Sequence, residues 1–499
     1  MKIRWKKRSI KAHAQARFVR DVSLFSGSRL YGALLGLVRS FLIARWLGPE
    51  AFGTWQFLNI YEQYSPYAGL GTRPAISRKI PFLRGKGDTE GMHAVLSTAF
   101  TINFFGPIIY SLIVLGGSFF VERALDSKAL AAFSPVILLL AWLRYAELLS
   151  IATGFYGFCS RLDILHNTLI TLFSVILVNF WGVYGIIAGF GISALIAVIY
   201  AARKLWHFFA LKVDWRVLWD LIMTGIPITA NGMLLSLMNM ADRILIAALL
   251  DRKMLGIYGI GHAGISIMRT LPVAIGQMLF VKFAEMDGQN ITREHMTRVL
   301  NKTTIILSCM LAPLVSILLS CFPIIVVLLL PQFIEGISSG RLLISEVFFL
   351  GISLPMTNWC ISTGRFYHII ILRLSIVMTL FIVVYLVINN GAGIEFVALC
   401  TLCASAIFSF AVIIISSYLL ENRFSYGIIH AVKSMAPFLG VISIILMQDY
   451  VHPVDKYTPG IDLTVSCVLG LLITLVISIP CIYWANKHVR IMELIAKIF

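Results

Sequence analysis

Long apolar runs constrain this chain more than any other feature. They recur near residues 20–44, 51–74, 93–120, 130–157, 164–182 and 184–207. A second series follows near 217–241, 254–281, 300–330, 342–364, 366–388 and 394–420, and a last pair near 432–449 and 461–485. A helix needs about 20 consecutive apolar residues to cross the hydrocarbon core of a bilayer. In lipid the backbone must satisfy its own hydrogen bonds, which runs of this length do as helices. The fourteen runs therefore predict an all-α polytopic membrane protein with about 14 transmembrane helices. With 59% hydrophobic and 13% charged residues among 499, too little polar surface exists to wrap a soluble core. Disorder, collagen, a coiled coil and a soluble enzyme on one anchor are excluded.

The chain carries 41 Lys and Arg against 24 Asp and Glu, a net charge of +17. In a soluble protein that excess would point to nucleic acid; in a membrane protein it orients the chain. An even number of spans starting inside places 28 of the 41 cations in cytoplasmic segments, 8 outside and 5 within spans. This asymmetry predicts a multi-pass protein of the cytoplasmic membrane with both termini cytoplasmic and no nucleic-acid partner. Residues 1–17, MKIRWKKRSIKAHAQAR, have no short apolar core before a cleavage site. They read as a basic cytoplasmic arm resting on anionic lipid headgroups. The eight Cys lie mostly within or at the ends of apolar runs, and Cys400 and Cys403 have no His or acid beside them. No disulfide framework or metal site is expected.

The sequence also repeats itself. RSFLIARWLGPEAFGTW from Arg39 aligns without gaps with DRILIAALLDRKMLGIY from Asp242, an offset of 203 residues. Leu42-Ile43-Ala44 fall on Leu245-Ile246-Ala247, Gly53 on Gly256, and Trp55 on Tyr258. The match joins the first and seventh runs. It predicts an N-terminal six-helix lobe (18–208), a C-terminal six-helix lobe (209–421) and a C-terminal helix pair (422–499). The lobes would be related by a pseudo-two-fold axis along the membrane normal. Transporters built from repeats place substrate near the midplane at the repeat interface.

The Leu47–Phe57 segment LGPEAFGTWQF, the later ADRILIAALL and LGIYGIG, and the count of fourteen spans resemble the polysaccharide-transporter family. That family belongs to the multidrug/oligosaccharidyl-lipid/polysaccharide exporter superfamily. The resemblance covers residues 18–485 and implies a flippase of polyprenyl-pyrophosphate-linked O-antigen or capsule units. In the second copy Asp251-Arg252 replaces Gly48-Pro49, a departure that bears on loop shape.

Five arginines lie within spans: Arg29, Arg39, Arg144, Arg269 and Arg373. Each costs about 2.5–3.5 kcal/mol at a helix centre on insertion scales, so each must face protein, a wet cavity, an acid or an interface. At about 100° per residue, Arg29, Gly32, Gly36 and Arg39 share one stripe, which reads as a cavity wall or as close packing through the glycines. Arg269 shares a face with His262 and Ser266. Arg269 is expected as an anion contact and His262 as a proton-coupling or merely hydrogen-bonded group. Asn231 and Asn239 on the seventh span read as substrate contacts or as interhelical glue. The spacing of Arg144 and Glu147 predicts an intrahelical ion pair, and Arg373, near its span end, can snorkel. Glu62, among Tyr61, Gln63 and Tyr64 and before Pro66, could bind a coupling H+ or Na+, orient a sugar or neutralise Arg29. Arg73 is expected at the cytoplasmic mouth.

No catalytic motif is present: GxSxG, HExxH, P-loop and GxGxxG patterns are all missing from the sequence. The expectation is therefore a transporter rather than an enzyme. Its leading substrate is a lipid-linked saccharide, because arginine matches pyrophosphate oxygens with two hydrogen bonds. Membrane lipids and polysaccharide-assembly proteins are the expected partners. The alternatives are a cation-coupled multidrug antiporter of the same fold and, from another class, a glycan polymerase or ligase.

Overall fold

The computed structural model describes residues 2–288, 292–421, 423–451, 467–474 and 476. Within them the regular structure is helical, and eleven helical segments are long and apolar enough to cross a membrane. The expected runs 20–44 and 51–74 correspond to two helical arms of α1 (Lys2–Tyr64), which non-helical backbone at Gly48 separates. The basic stretch at the start of the chain is helical backbone within α1. The helix bends sharply at Gly48 (φ 72°, ψ 173°), followed by Pro49. That φ suits glycine, and proline removes a backbone donor where the bend has already broken the ladder. The expected second run does not stay α-helical to residue 74: a 3-10 turn, Ser65–Gly69, begins where Pro66 interrupts it.

The amphipathic α2 (Thr72–Lys86) leads to α3 (Thr89–Ser118), which Asp88 caps by accepting from Gly91 N–H at 2.8 Å. Next come α4 (Ala124–Ala152), α5 (Tyr156–Trp181) and α6 (Val183–Leu205). The last two form the hairpin expected from the WGVYG sequence, with Gly182 alone as the turn. The expected seventh run, 217–241, is α7 (Trp215–Met238); the short α8 (Ala241–Leu249) comes after it, and α9 (Arg252–Gly288) follows. The remainder is α10 (Arg293–Leu329), α11 (Ile337–Ser362), α12 (Phe366–Asn389), α13 (Ile394–Glu421), α14 (Phe424–Met435) and α15 (Phe438–Val451). Most of the expected run 461–485 lies outside the described residues.

The chain divides into two compact units. The first comprises residues 1–46 and 58–233, the second residues 47–57 and 234–499. In the first unit Ala75, Ile76 and Ile80 of α2 pack against Leu143 and Leu149 of α4 and Leu162 of α5. Lipid tails are as apolar as leucine, so helices here associate by close packing and hydrogen bonds rather than by escape from water. In the second unit the long α11 is the most enclosed span, and Ser409 of α13 donates to Phe349 O of α11 at 2.6 Å.

The segment Leu47–Phe57 is folded into the second unit, where it meets its own repeat. A Cβ at Gly53 would lie 1.7 Å from Arg252 O, and a Cβ at Gly256 would lie 1.9 Å from Pro49 O. Residues 53 and 256, and 49 and 252, are the aligned pairs of the 203-residue repeat, so the two copies cross as mirror partners in sequence. Only glycine permits so close an approach of two backbones. Phe52 then packs edge-on to Phe333, centroids 5.9 Å apart, and Arg252 sits 4.2 Å over the ring of Phe57.

Candidate functional site

In the first unit three helices bring charge to one point. Arg29 of α1 reaches Glu147 Oε2 of α4 at 3.1 Å through Nη2, and Asp163 Oδ1 of α5 at 3.4 Å through Nη1. Asn167, one turn after Asp163, donates to the same Oδ1 at 3.1 Å, and Phe25 lies 5.2 Å below the guanidinium carbon. The acids are withdrawn, at 13% and 3% side-chain exposure, while Arg29 is 42% exposed. An arginine carries five N–H donors, and these two contacts occupy one on each terminal nitrogen. The open side of the guanidinium can therefore receive an anion.

The expected intrahelical pair of Arg144 and Glu147 is not formed. Arg144 instead pairs with Glu62, and Glu147 turns to Arg29. Spacing along one helix says which residues can meet on that helix, but not what a neighbouring helix offers at lower cost. Glu62 accordingly does not neutralise Arg29. Tyr110 Oη donates to Tyr61 O at 2.6 Å, beside Glu62 and just before the 3-10 turn. Gly32 of the arginine–glycine stripe packs on Asn167, with a Cβ there only 2.8 Å from Nδ2, so this part of the stripe is a helix contact. Arg39 lies 5.1 Å over the Phe190 ring, and its Nη1 is buried with no hydrogen-bond partner among the described residues. Arg73 donates to Ala141 O of α4 at 3.4 Å.

The second unit gathers its charge around two carboxylates. Asp242, fully buried, accepts from Tyr258 Oη at 2.6 Å and from Arg243 N–H at 2.7 Å. His262 Nε2 lies 3.1 Å from the same carboxylate. Arg269 Nη2 stands 3.3 Å from Glu346 Oε2 of α11, whose other oxygen accepts from Ser405 at 2.8 Å. Asn231 is buried on α7, and Asn239 O accepts from Arg243 at 3.2 Å. Arg373 does not snorkel: it is buried, 5.3 Å over the ring of Phe408. Among the described residues no three His, Cys, Asp or Glu side chains are grouped to hold a metal ion.

Sequence reasoning found Arg29, Arg269 and His262 but missed Asp163, Asp242 and Glu346, the acids that hold them. Their signal was present, since each is an isolated acid within or at the edge of an apolar helix. Such a residue is costly unless paired.

Comparison with known proteins follows from this architecture. A structure described as the lipid II flippase MurJ in an inward closed conformation is similar to 93% of this chain and 99% of its own, with 16% identity and a TM-score of 0.64. An inward-facing multidrug resistance MATE family transporter of the MOP superfamily is similar over 82% of this chain and 99% of its own, with 13% identity and a TM-score of 0.64. Its outward-facing counterpart gives 13% identity, 83% and 96% coverage, and a TM-score of 0.60. At these identities the likeness is one of fold. No curated protein matches the sequence. Residues 18–281, more than half of the chain, match the polysaccharide biosynthesis protein family. With its all-helical, multi-pass architecture, the chain belongs to that family.

Proposed function

We propose that this protein is a flippase that moves a polyprenyl-pyrophosphate-linked oligosaccharide, an O-antigen, capsule or exopolysaccharide unit, across the cytoplasmic membrane by alternating access. The observation that carries the reading is Arg29, a cation within a membrane span that is gripped by two acids and yet 42% exposed. A structural arginine would be closed off by its partners; this one stays partly exposed, and arginine matches phosphate oxygens geometrically. Membership of a polysaccharide biosynthesis family and likeness in fold to a lipid II flippase support the same substrate class. Arg39, Arg269, Asn231 and Asn239 are the further proposed substrate contacts, with Arg73 at the cytoplasmic mouth. Glu62 beside Arg144 and His262 beside Asp242 are where a coupling H+ or Na+ would act.

Purified protein in proteoliposomes tests the proposal with a radiolabelled polyprenyl-pyrophosphate saccharide. The expected result is translocation that Arg29→Ala lowers by about 10- to 100-fold, the worth of one charged hydrogen-bonded pair. Efflux of cationic drugs with no movement of the saccharide would overturn it in favour of a multidrug antiporter. The fold likeness to MATE transporters makes that the second reading.

A further inference from the structure

Arg39 of α1 is a cation without an acid. Arg29 has Glu147 and Asp163, Arg144 has Glu62, and Arg269 has Glu346. Among the described residues Arg39 makes neither an ion pair nor a hydrogen bond. Its contact is the Phe190 ring of α6, 5.1 Å from the guanidinium carbon. His166 of α5 is near, but its ring is hydrogen-bonded to the Ser193 backbone and brings no negative charge. An aromatic face offsets only part of what a charge costs within a membrane span. The repeat sharpens the contrast, because Arg39 aligns with Asp242. That buried carboxylate has donors from Tyr258 and Arg243. At the matching place the first unit supplies a charge and no acceptors.

Arg39 stands ten residues after Arg29 on unbroken helix, about 15 Å along the axis. Both side chains lean back toward the start of the helix, Arg29 over Phe25 and Arg39 toward Gly36, so their tips stay as far apart as their backbones. The two phosphates of a pyrophosphate share one oxygen and cannot reach both guanidinium groups at once. Resting on the pyrophosphate reading of Arg29, we infer that Arg39 holds a second anionic group of the same substrate: the carboxylate of an acidic sugar, carried in the saccharide about 15 Å from the pyrophosphate. A guanidinium meets a carboxylate with two parallel hydrogen bonds, and none of the five donors of Arg39 is spent on the described residues. A neutral saccharide leaves that charge uncompensated, so Arg39 selects acidic saccharides over neutral ones.

Titration calorimetry on the full chain in nanodiscs tests this with separate probes. One is inorganic pyrophosphate, the second an oligosaccharide ending in a single glucuronic acid, and the third the same oligosaccharide ending in glucose. The acidic probe should bind in saturating pyrophosphate, and more tightly than its neutral twin. Arg39→Gln should weaken the acidic probe by about 10- to 100-fold and leave pyrophosphate unchanged. Arg39→Lys, which keeps the charge, should retain part of that binding. Arg29→Gln should lose pyrophosphate and keep the acidic probe, so each variant carries its own proof of folding. Equal binding of the acidic and neutral probes, or undiminished acidic binding in Arg39→Gln, would overturn the inference. Displacement of the acidic probe by pyrophosphate would also overturn it, by placing both anions on Arg29. Translocation of lipid-linked saccharide with no acidic binding at Arg39 would sink the inference and leave the flippase standing. Acidic binding at Arg39 with neither pyrophosphate bound nor saccharide moved would sink the proposed function, while Arg39 stands as a site for acidic sugars.

Discussion

The two units of this protein bury charge around opposite signs. In the first, the centre is a cation, Arg29, open on one side and steadied by acids set behind it. In the second, the centres are carboxylates, Asp242 and Glu346, sealed at 0% and 1% exposure and provided with donors from Tyr258, Arg243 and Ser405. A sealed and saturated carboxylate chiefly holds its helices together, because any change leaves a buried group unpaired. An exposed cation with donors to spare contributes less to the fold and has more to offer a ligand. The first unit thus keeps its buried charge open on one side, and the second closes its own off.

The strongest way to break this contrast is to remove the sealed acid. Asp242→Ala should cost about 3–5 kcal/mol of stability, the usual result of stripping one partner from a buried charged network. Thermal unfolding in detergent reads it, and an unchanged Tm would erase the distinction between the units. Arg29→Ala leaves Glu147 and Asp163 without their cation but opens no fully sealed site, and should lower that Tm by less.

A smaller effect separates how the units pack. Gly53→Ala and Gly256→Ala each force a methyl into a backbone carbonyl and should cost at least about 1–3 kcal/mol, in similar measure because the contact is reciprocal. Gly32→Ala meets only the end of the Asn167 side chain, which can turn aside, and should cost less. Equal costs at Gly32 and Gly53 would show that the second unit's crossing has no special rigidity.

Smallest is the pairing inside the first unit. A double-mutant cycle of Arg144→Gln with Glu62→Gln should give a coupling of about 1 kcal/mol. The cycle of Arg144→Gln with Glu147→Gln should give less than about 0.5 kcal/mol. The reverse order would restore the intrahelical pair and take Glu147 away from Arg29.

The helices were legible in the sequence because lipid makes the rule simple: a long apolar run has one way to satisfy its backbone. The hairpin at Gly182 was legible for the same reason, two runs with no room for a loop between them. The site was half legible. Arg29, Arg269 and His262 stand out as polar groups in apolar surroundings, but their partners depend on tertiary contacts. Glu147 was recognised and then assigned to Arg144, because an i,i+3 spacing describes only its own helix. Asp163 lies a few residues into α5 and reads from sequence as part of a polar helix start. The repeat was visible as Gly53 over Gly256, although alignment could not foretell that the aligned glycines would touch.

That crossing has a consequence for how the chain is made. Phe52 is 1% exposed and Trp55 6% exposed, and their burial involves residues of the second unit, among them Phe333. During synthesis the Leu47–Phe57 strap is made well before Arg252, Gly256 and Phe333, which come later in the chain. The N-terminal half can insert its helices in order, but its bend must wait, its aromatic side chains unclaimed, until the later copy arrives to close over it.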